Sequence, residues 1–335
     1  MALLLDRLQI KNFRAFRSLE IEQLGRVNLI VGANSSGKST VLEALRIYAS
    51  RGASNVLWEL LLSREELPSS NSKPLALDRV TTAFMQLFNG RPWRWEGSEH
   101  FEIGSKDREA VLVDTGRVNA SPVLFSGTPG MMHTVNLEHD SRFPFHLAIA
   151  PHAYVPPDGF TSSFASGIWD KIALSELEDF VVEILQIIAP TAERISFIGE
   201  PTESRIAVAK LREERRAIPV RSLGDGVNRI LGIALALVSG KGGFVLIDEI
   251  ENGIHFSVQR KLWDSIFKAA QKLDVQVFAT THSLECIEAF QEASAADQNE
   301  EAILIRLDRH DGNVESFVLS ERELTIATRD GLEVR

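Results

Sequence analysis

Gly32-Ala33-Asn34-Ser35-Ser36-Gly37-Lys38-Ser39 fits the pattern G-x-x-x-x-G-K-[ST] at every fixed position. Just before it, Val27-Asn28-Leu29-Ile30-Val31 is apolar and β-branched in the manner of a buried strand. From Ser39 to Tyr48, apolar residues recur at 41, 42, 45 and 48, a helical spacing. The octet therefore lies between a strand and a helix, a context that a chance glycine-rich turn would lack. There the glycines let backbone N–H groups face phosphate oxygens, and the helix N-terminus adds a favourable dipole. Lys38 would bring a mobile positive charge to the β- and γ-phosphates, and Ser39 a hydroxyl ligand for Mg²⁺. Asn34, Ser36, Gly37, Lys38, Ser39 and Thr40 are the candidate nucleotide-binding residues of this loop.

Composition sets outer limits. The 335 residues suffice for one large or two ordinary domains, and 44% apolar with 24% charged residues is the balance of a soluble globular chain. A net charge of −10 argues against gripping nucleic acid with the whole surface, while leaving room for a local basic groove. With Cys286 as its only cysteine, the chain can form neither an internal disulfide nor a cysteine-rich zinc site, which suits a reducing compartment. The apolar run Ala2 to Leu5 is broken by Asp6 and Arg7, too early for a signal peptide. The longest apolar helix candidate, Ile230 to Val238, is far short of the ~20 residues of a membrane span. A cytoplasmic protein without membrane contact is expected.

Along the chain, Leu3 to Ile10 and Ser18 to Leu24 read as strands around the polar turn Lys11 to Phe16. Ser50 to Gly167 carries weaker signals: a helix over Asp78 to Phe88, then Arg91-Pro92-Trp93-Arg94-Trp95, whose tryptophans would share one inward face of a strand. Asn119 to Gly130 and Pro156 to Gly167 are rich in turn formers and read as loops. His100, His133, His139, His146 and His152 show no metal-binding spacing. Ser175 and Glu178 fit a capping box ahead of a helix with apolar positions 177, 180, 181, 184, 185 and 188, stopped by Pro190. Glu193 to Ile198 and Ser204 to Leu211 alternate as a hairpin around Gly199 to Thr202. No heptad pattern is sustained between Lys38 and Ser222, and no internal repeat at a solenoid period is present.

A second set of motifs completes the phosphate chemistry. Gly243-Phe244-Val245-Leu246-Ile247-Asp248-Glu249 is an apolar run ending in two acids, the way a buried parallel strand delivers carboxylates to a site. Asp248 would hold Mg²⁺ directly or through water, and Glu249 would polarise an attacking water as general base. Upstream, Ser222-Leu223-Gly224-Asp225-Gly226 opens an apolar helix, where a hydroxyl and bare N–H groups could meet an anion; Ser222 or Asp225 could equally serve as a plain N-cap. Downstream, the strand Val275 to Ala279 ends in Thr280-Thr281-His282-Ser283, which brings His282 within reach of a γ-phosphate.

This order of motifs resembles the ABC-type ATPases, and more closely their RecF/SMC/OLD branch, whose chains begin with a strand and an Asn-Phe-Arg-x-Phe turn like Asn12 to Phe16. It is most similar to the compact prokaryotic AAA15-type ATP-binding proteins, through Ser222 to Gly226, Ile247 to His255 and Phe278 to Ser283. The match covers roughly 1 to 50 and 220 to 290. It implies an α/β P-loop NTPase with an ABC-type head, a mixed sheet with N-terminal antiparallel strands. The ATPase core would come from 1–50 and 190–335, with an inserted, mainly helical lobe at about 51–189. It also implies a head-to-tail homodimer in which Ser222 and Gly224 of one subunit close over the nucleotide held by Lys38 of the other. ATP and Mg²⁺ would be the cofactors; Glu249, His282 and Lys38 the catalytic residues; Ser39 and Asp248 the metal ligands; Arg14 a further nucleotide contact; and Gln86 the Q-loop glutamine by position.

The functional expectation is an ATPase that dimerises on ATP in anti-phage defence or DNA maintenance. The chain lacks coiled-coil arms, and the 45 residues after Phe290 fall short of a ~100-residue TOPRIM domain. An effector, nuclease or toxin, is therefore expected as a separate chain. The alternatives are a RecF-like repair ATPase that binds DNA directly and a non-hydrolysing scaffold assembled around ATP. The basic run Lys210, Arg212, Arg215, Arg216 and Arg221 is interrupted by Glu213 and Glu214 and reads as a solvated hairpin edge. A transporter ATPase fits the N-terminal turn poorly, and no Asn-Lys-x-Asp motif for guanine is present.

Overall fold

Strands that bury both faces read as near-continuous apolar runs, and four such runs form the centre of this protein. The computed structural model describes residues 2–67, 76–105, 108–138, 151–200, 205–297 and 302–319. In chain order, β1 (Leu8–Phe13), β2 (Phe16–Ile21) and β3 (Val27–Val31) lead into α1 (Lys38–Ala49), α2 (Ser54–Ser63) and α3 (Leu77–Met85). Five strands follow: β4 (His100–Gly104), β5 (Val111–Val118), β6 (Ser121–Thr128), β7 (Met131–Asn136) and β8 (His152–Val155). Next come α4 (Ser162–Ile172), α5 (Glu176–Leu185), β9 (Ala192–Ile198), β10 (Ile206–Leu211), β11 (Ile218–Pro219), a 3₁₀ turn (Val220–Leu223) and α6 (Asp225–Ser239). The described chain closes with β12 (Phe244–Ile247), α7 (Phe256–Lys272), β13 (Gln276–Thr280), α8 (Leu284–Asp297), β14 (Ala302–His310) and β15 (Asn313–Leu319).

The central sheet has the order β15-β14-β3-β13-β12-β8, parallel throughout except for β15, which runs antiparallel to β14. Side chains alternate across it. Val27, Leu29, Val31, Val245, Ile247, Val277 and Ala279 enter one core with α4 to α8, whereas Ile30, Phe244, Leu246, Phe278 and Ile305 enter a second with α1 to α3. An antiparallel sheet, β2-β1-β4-β5-β6-β7, encloses that second core, and a small sheet, β11-β10-β9, stands beside α4 and α5.

Several local expectations are revised. The polar stretch Lys11 to Phe16 is strand almost to its tip: Lys11 pairs with Ser18 and Phe13 with Phe16, leaving Arg14-Ala15 as the turn. Phe13 is drawn into the core, its ring 5.0 Å from that of Phe101, and that burial overrides the polar neighbours. Trp93 and Trp95 do not form a strand; Trp93 is 76% exposed, while Trp95 donates its indole N–H to the Gly116 carbonyl at 3.0 Å. Asn119 to Gly130 is β6 with its two turns, because pairing to β5 and β7 on both sides outweighs its Gly, Pro and Ser content. In Pro156 to Gly167 the loop ends at Thr161, whose hydroxyl caps α4. The stretch 51–189 contains α2 to α5 but also five strands, four of them in the antiparallel sheet and β8 in the central one. Of the histidines, His139 and His146 lie outside the described residues.

Candidate nucleotide site

The glycine-rich loop leaves the carboxyl end of β3 and enters α1 at Lys38. Gly37 has φ 106°, and a Cβ there would lie 2.7 Å from the Phe16 ring, so only glycine fits. Phe16, at the foot of the Arg14-Ala15 turn, is thus packed closely against the loop backbone. Ser36 Oγ is buried without a hydrogen-bond partner, and Lys38 Nζ turns back onto the carbonyls of Gly32 at 2.7 Å and Ala33 at 3.1 Å. Burial lowers the Lys38 pKa, while Asp248, Glu249 and Glu251 oppose the shift. The lysine is thus a partly desolvated cation facing three carboxylates.

At the ends of β12 and β13 the acids converge on this loop. Asp248, 4% exposed, accepts at Oδ1 from Ser39 Oγ at 3.2 Å and from Thr280 Oγ1 at 2.5 Å. Glu249 sits in the left-handed region, φ 50°, which is rare for a non-glycine residue and clusters at functional sites. Its amide donates to Thr280 Oγ1 at 2.8 Å, and its Oε2 accepts from Asn252 Nδ2 at 2.7 Å. His282, half exposed, places Nδ1 4.0 Å from Glu249 Oε1 and 3.6 Å from Glu251 Oε1; its amide donates to Glu251 at 3.1 Å. A cavity of about 250 Å³ lies between the start of the loop and the turn after β13, lined by Gly32, Ala33, Asn34, Thr281, His282 and Ile287. Lys38, Ser39, Asp248, Glu249 and His282 are therefore gathered at one edge of the sheet.

Ser222 and Gly224 are exposed, the first in the 3₁₀ turn and the second, φ 114°, at the N-terminus of α6. No side chain caps that helix, so the plain N-cap reading of Ser222 or Asp225 does not hold. Behind the exposed tip the helix is tied to the acids. A Cβ on Gly226 would lie 2.5 Å from the Gly253 carbonyl, so the two backbones touch. Arg229, 4% exposed, donates to the carbonyls of Asp248 at 2.5 Å, Glu249 at 3.0 Å and Pro157 at 3.3 Å, and also to that of Pro156. Burial lowers its pKa, and the acids Asp248 and Glu251 oppose the shift. This buried cation fastens α6, the β8 exit and the turn that carries Glu249 into one unit.

Arg14 lines a second cavity of about 370 Å³ beside the loop, together with Thr40, Arg64, Asn89, Arg91 and Arg309. Its guanidinium is already engaged: Nη1 is 2.8 Å from Glu66 Oε1 and Nε 2.8 Å from Glu43 Oε2, off the line of a hydrogen bond in the second case. Arg64 Nε holds the other oxygen of Glu43 at 2.6 Å. Gln86 stands at the C-terminal end of α3, its amide 3.5 Å from the Thr82 carbonyl. The strand beside β12 instead brings Tyr154, whose hydroxyl lies 3.4 Å from Asp248 Oδ2. Burial and then the Asp248 charge push the Tyr154 pKa up, which keeps it a donor. Thr280, Asn252, Glu251, Arg229 and Tyr154 went unassigned in the sequence reading. The first three stand inside quoted motifs, whereas Arg229 in an apolar helix and Tyr154 on a four-residue strand carry no local signal.

Comparison with known proteins agrees with this geometry. A family profile described as "AAA domain, putative AbiEii toxin, Type IV TA system" matches residues 87–288, more than half of the chain, and one described as "AAA domain" matches 7–54. An ATP/GTP phosphatase of Helicobacter pylori is 23% identical, covering 85% of this chain and 87% of its own length. The OLD nuclease of Thermus scotoductus is 26% identical over 95% of this chain, which spans 65% of that protein. Among solved structures, an Smc head bound to the C-terminal winged-helix domain of ScpA superimposes with TM-score 0.56 at 15% identity, covering 94% of this chain and 97% of the other. The Smc head with an extended coiled coil, bound to the C-terminal domain of ScpA derived from Pyrococcus furiosus, gives TM-score 0.52 at 13% identity, covering 97% and 98%. These two likenesses concern the fold alone. The chain belongs to the first of these AAA-domain families, and its fold is that of an ABC-type ATPase head.

Proposed function

We propose that this chain binds ATP with Mg²⁺ in the loop from Gly32 to Thr40, closes head-to-tail on a second copy, and hydrolyses the nucleotide as a switch for a separate effector. The observation that carries this reading is the gathering of Ser39, Asp248, Glu249 and His282 around Lys38, with Ser39 Oγ 3.2 Å from Asp248. A hydroxyl and one carboxylate suit Mg²⁺, which prefers few protein oxygens and completes its shell with phosphates and water. Among the described residues no cluster of three or more His, Cys, Asp or Glu could hold a metal, so the phosphates would be needed as co-ligands. Bound there, Mg²⁺ would neutralise charge on the β- and γ-phosphates. Lys38 would exchange its backbone carbonyls for phosphate oxygens, Ser36 Oγ would gain a partner, and Glu249 would orient and deprotonate the attacking water. The cavity lined by Thr40, Arg91 and Arg309 suits the nucleoside end.

The uncapped, exposed start of α6 supports the two-copy arrangement. Ser222 and Gly224 line neither of the two cavities beside the loop described above. They are available to a nucleotide on another subunit. The partner's phosphate would supply the anion that this helix terminus lacks. The likeness to an OLD nuclease and the toxin-system family support placing the switch in anti-phage defence or DNA maintenance, with nuclease or toxin chemistry in the effector.

Steady-state phosphate release with Mg²⁺–ATP tests the enzyme. Lys38→Ala is expected to abolish binding or turnover, and unchanged hydrolysis would remove the loop from the mechanism. Size-exclusion chromatography tests the dimer. Ser222→Arg should block ATP-dependent dimerisation while preserving ATP binding by the monomer; a variant that still dimerises with ATP would overturn the two-copy site.

A further inference from the structure

Asp248 is a buried carboxylate whose two oxygens are served unequally. Oδ1 accepts from Ser39 and Thr280, at 3.2 and 2.5 Å, whereas Oδ2 is met by the Tyr154 hydroxyl at 3.4 Å. That separation exceeds a full O–H···O bond, and catalytic contacts of this kind often tighten once ligand is bound. The tyrosine is held from several sides. It lies on β8 in register with Leu246 of β12, two residues before Asp248, and its ring is covered by the Arg46 guanidinium 4.5 Å above the centroid. Arg46 is itself anchored to Glu59 at 3.0 Å. The ring therefore has a fixed seat between β12 and α1, and its hydroxyl points at the carboxylate expected to meet the metal.

We propose that Tyr154 is a positioning residue for Asp248: its hydroxyl donates to Oδ2 and sets the carboxylate plane so that the acid can hold Mg²⁺ with Ser39. The inference rests on the Mg²⁺–ATP reading above. Tyr154 touches neither nucleotide nor metal; it acts through Asp248. Without the hydroxyl, only the Ser39 and Thr280 contacts to Oδ1 would orient the carboxylate, and Oδ2 would lose the donor it has among the described residues. Tyr154→Phe removes the hydroxyl and keeps the ring, its cation–π contact and its packing.

The test is a titration of wild type and Tyr154→Phe with a fluorescent N-methylanthraniloyl-ATP, in EDTA and across a Mg²⁺ series, beside thermal unfolding without ligand. The expected result is equal affinity in EDTA, an unchanged melting temperature, and an increase of about 3–10-fold in the Mg²⁺ concentration giving half the metal-dependent gain in affinity. A Mg²⁺ midpoint equal to that of wild type overturns the proposal, whether or not the melting temperature falls. If wild-type affinity itself does not respond to Mg²⁺, the metal reading fails and takes this inference with it.

Discussion

Glu249→Gln is expected to lower steady-state ATP hydrolysis by ~10²-fold or more while leaving nucleotide affinity within a few-fold of wild type. The turn carrying this residue is fixed without reference to its charge: the amide is bound to Thr280, the carbonyl to Arg229, and Oε2 accepts from Asn252, a contact an amide oxygen can keep. The substitution thus removes basicity and little else. With hydrolysis stalled, ATP should hold the two-copy state long enough to appear as a dimer in size-exclusion chromatography. Turnover near that of wild type would transfer the base role to Glu251, whose Oε1 is 3.6 Å from His282 and whose side chain is only 10% exposed.

The second large effect concerns stability. Arg14→Ala should destabilise the fold by about 3–5 kcal/mol in denaturant unfolding, because it leaves Glu43 and Glu66 buried without their shared cation. Their side chains are 8% and 14% exposed, and Arg64 alone remains on Glu43. Burial already raises the Glu43 pKa, with Arg14 and then Arg64 opposing the shift. Neutralising one acid should relieve part of the penalty, so Glu43→Gln added to Arg14→Ala is expected to recover stability relative to the single variant. Unchanged stability together with a sharp loss of nucleotide affinity would instead make Arg14 the nucleotide contact that the Asn-Phe-Arg-x-Phe resemblance implies.

Much of the candidate nucleotide site is legible in the chain because its chemistry is written in contiguous residues. Gly32 to Ser39 needs its glycines for backbone geometry, and the acids must follow directly on a buried strand to reach the same edge. The hairpin of β9 and β10 was equally readable, since period-2 alternation is a local property. The antiparallel sheet was harder. β6 carries Pro122, Ser126 and Gly127, residues that signal turns, and only its two flanking strands make it a strand. Trp93 and Trp95 alternate on paper, yet no partner strand stands beside them to turn alternation into structure.

Sequence alone therefore specified the phosphate loop, the paired acids and the ABC-type order of motifs, because each depends on residues a few positions apart. The fold added what depends on residues far apart. Arg229 is 19 residues from Asp248 and 73 from Pro156, yet its guanidinium binds both carbonyls. Tyr154 is 94 residues from Asp248, and only the parallel pairing of β8 with β12 brings its hydroxyl to the carboxylate. A buried cation or hydroxyl is held by whichever carbonyl or carboxylate packing brings to it, and one-dimensional spacing carries no record of that choice.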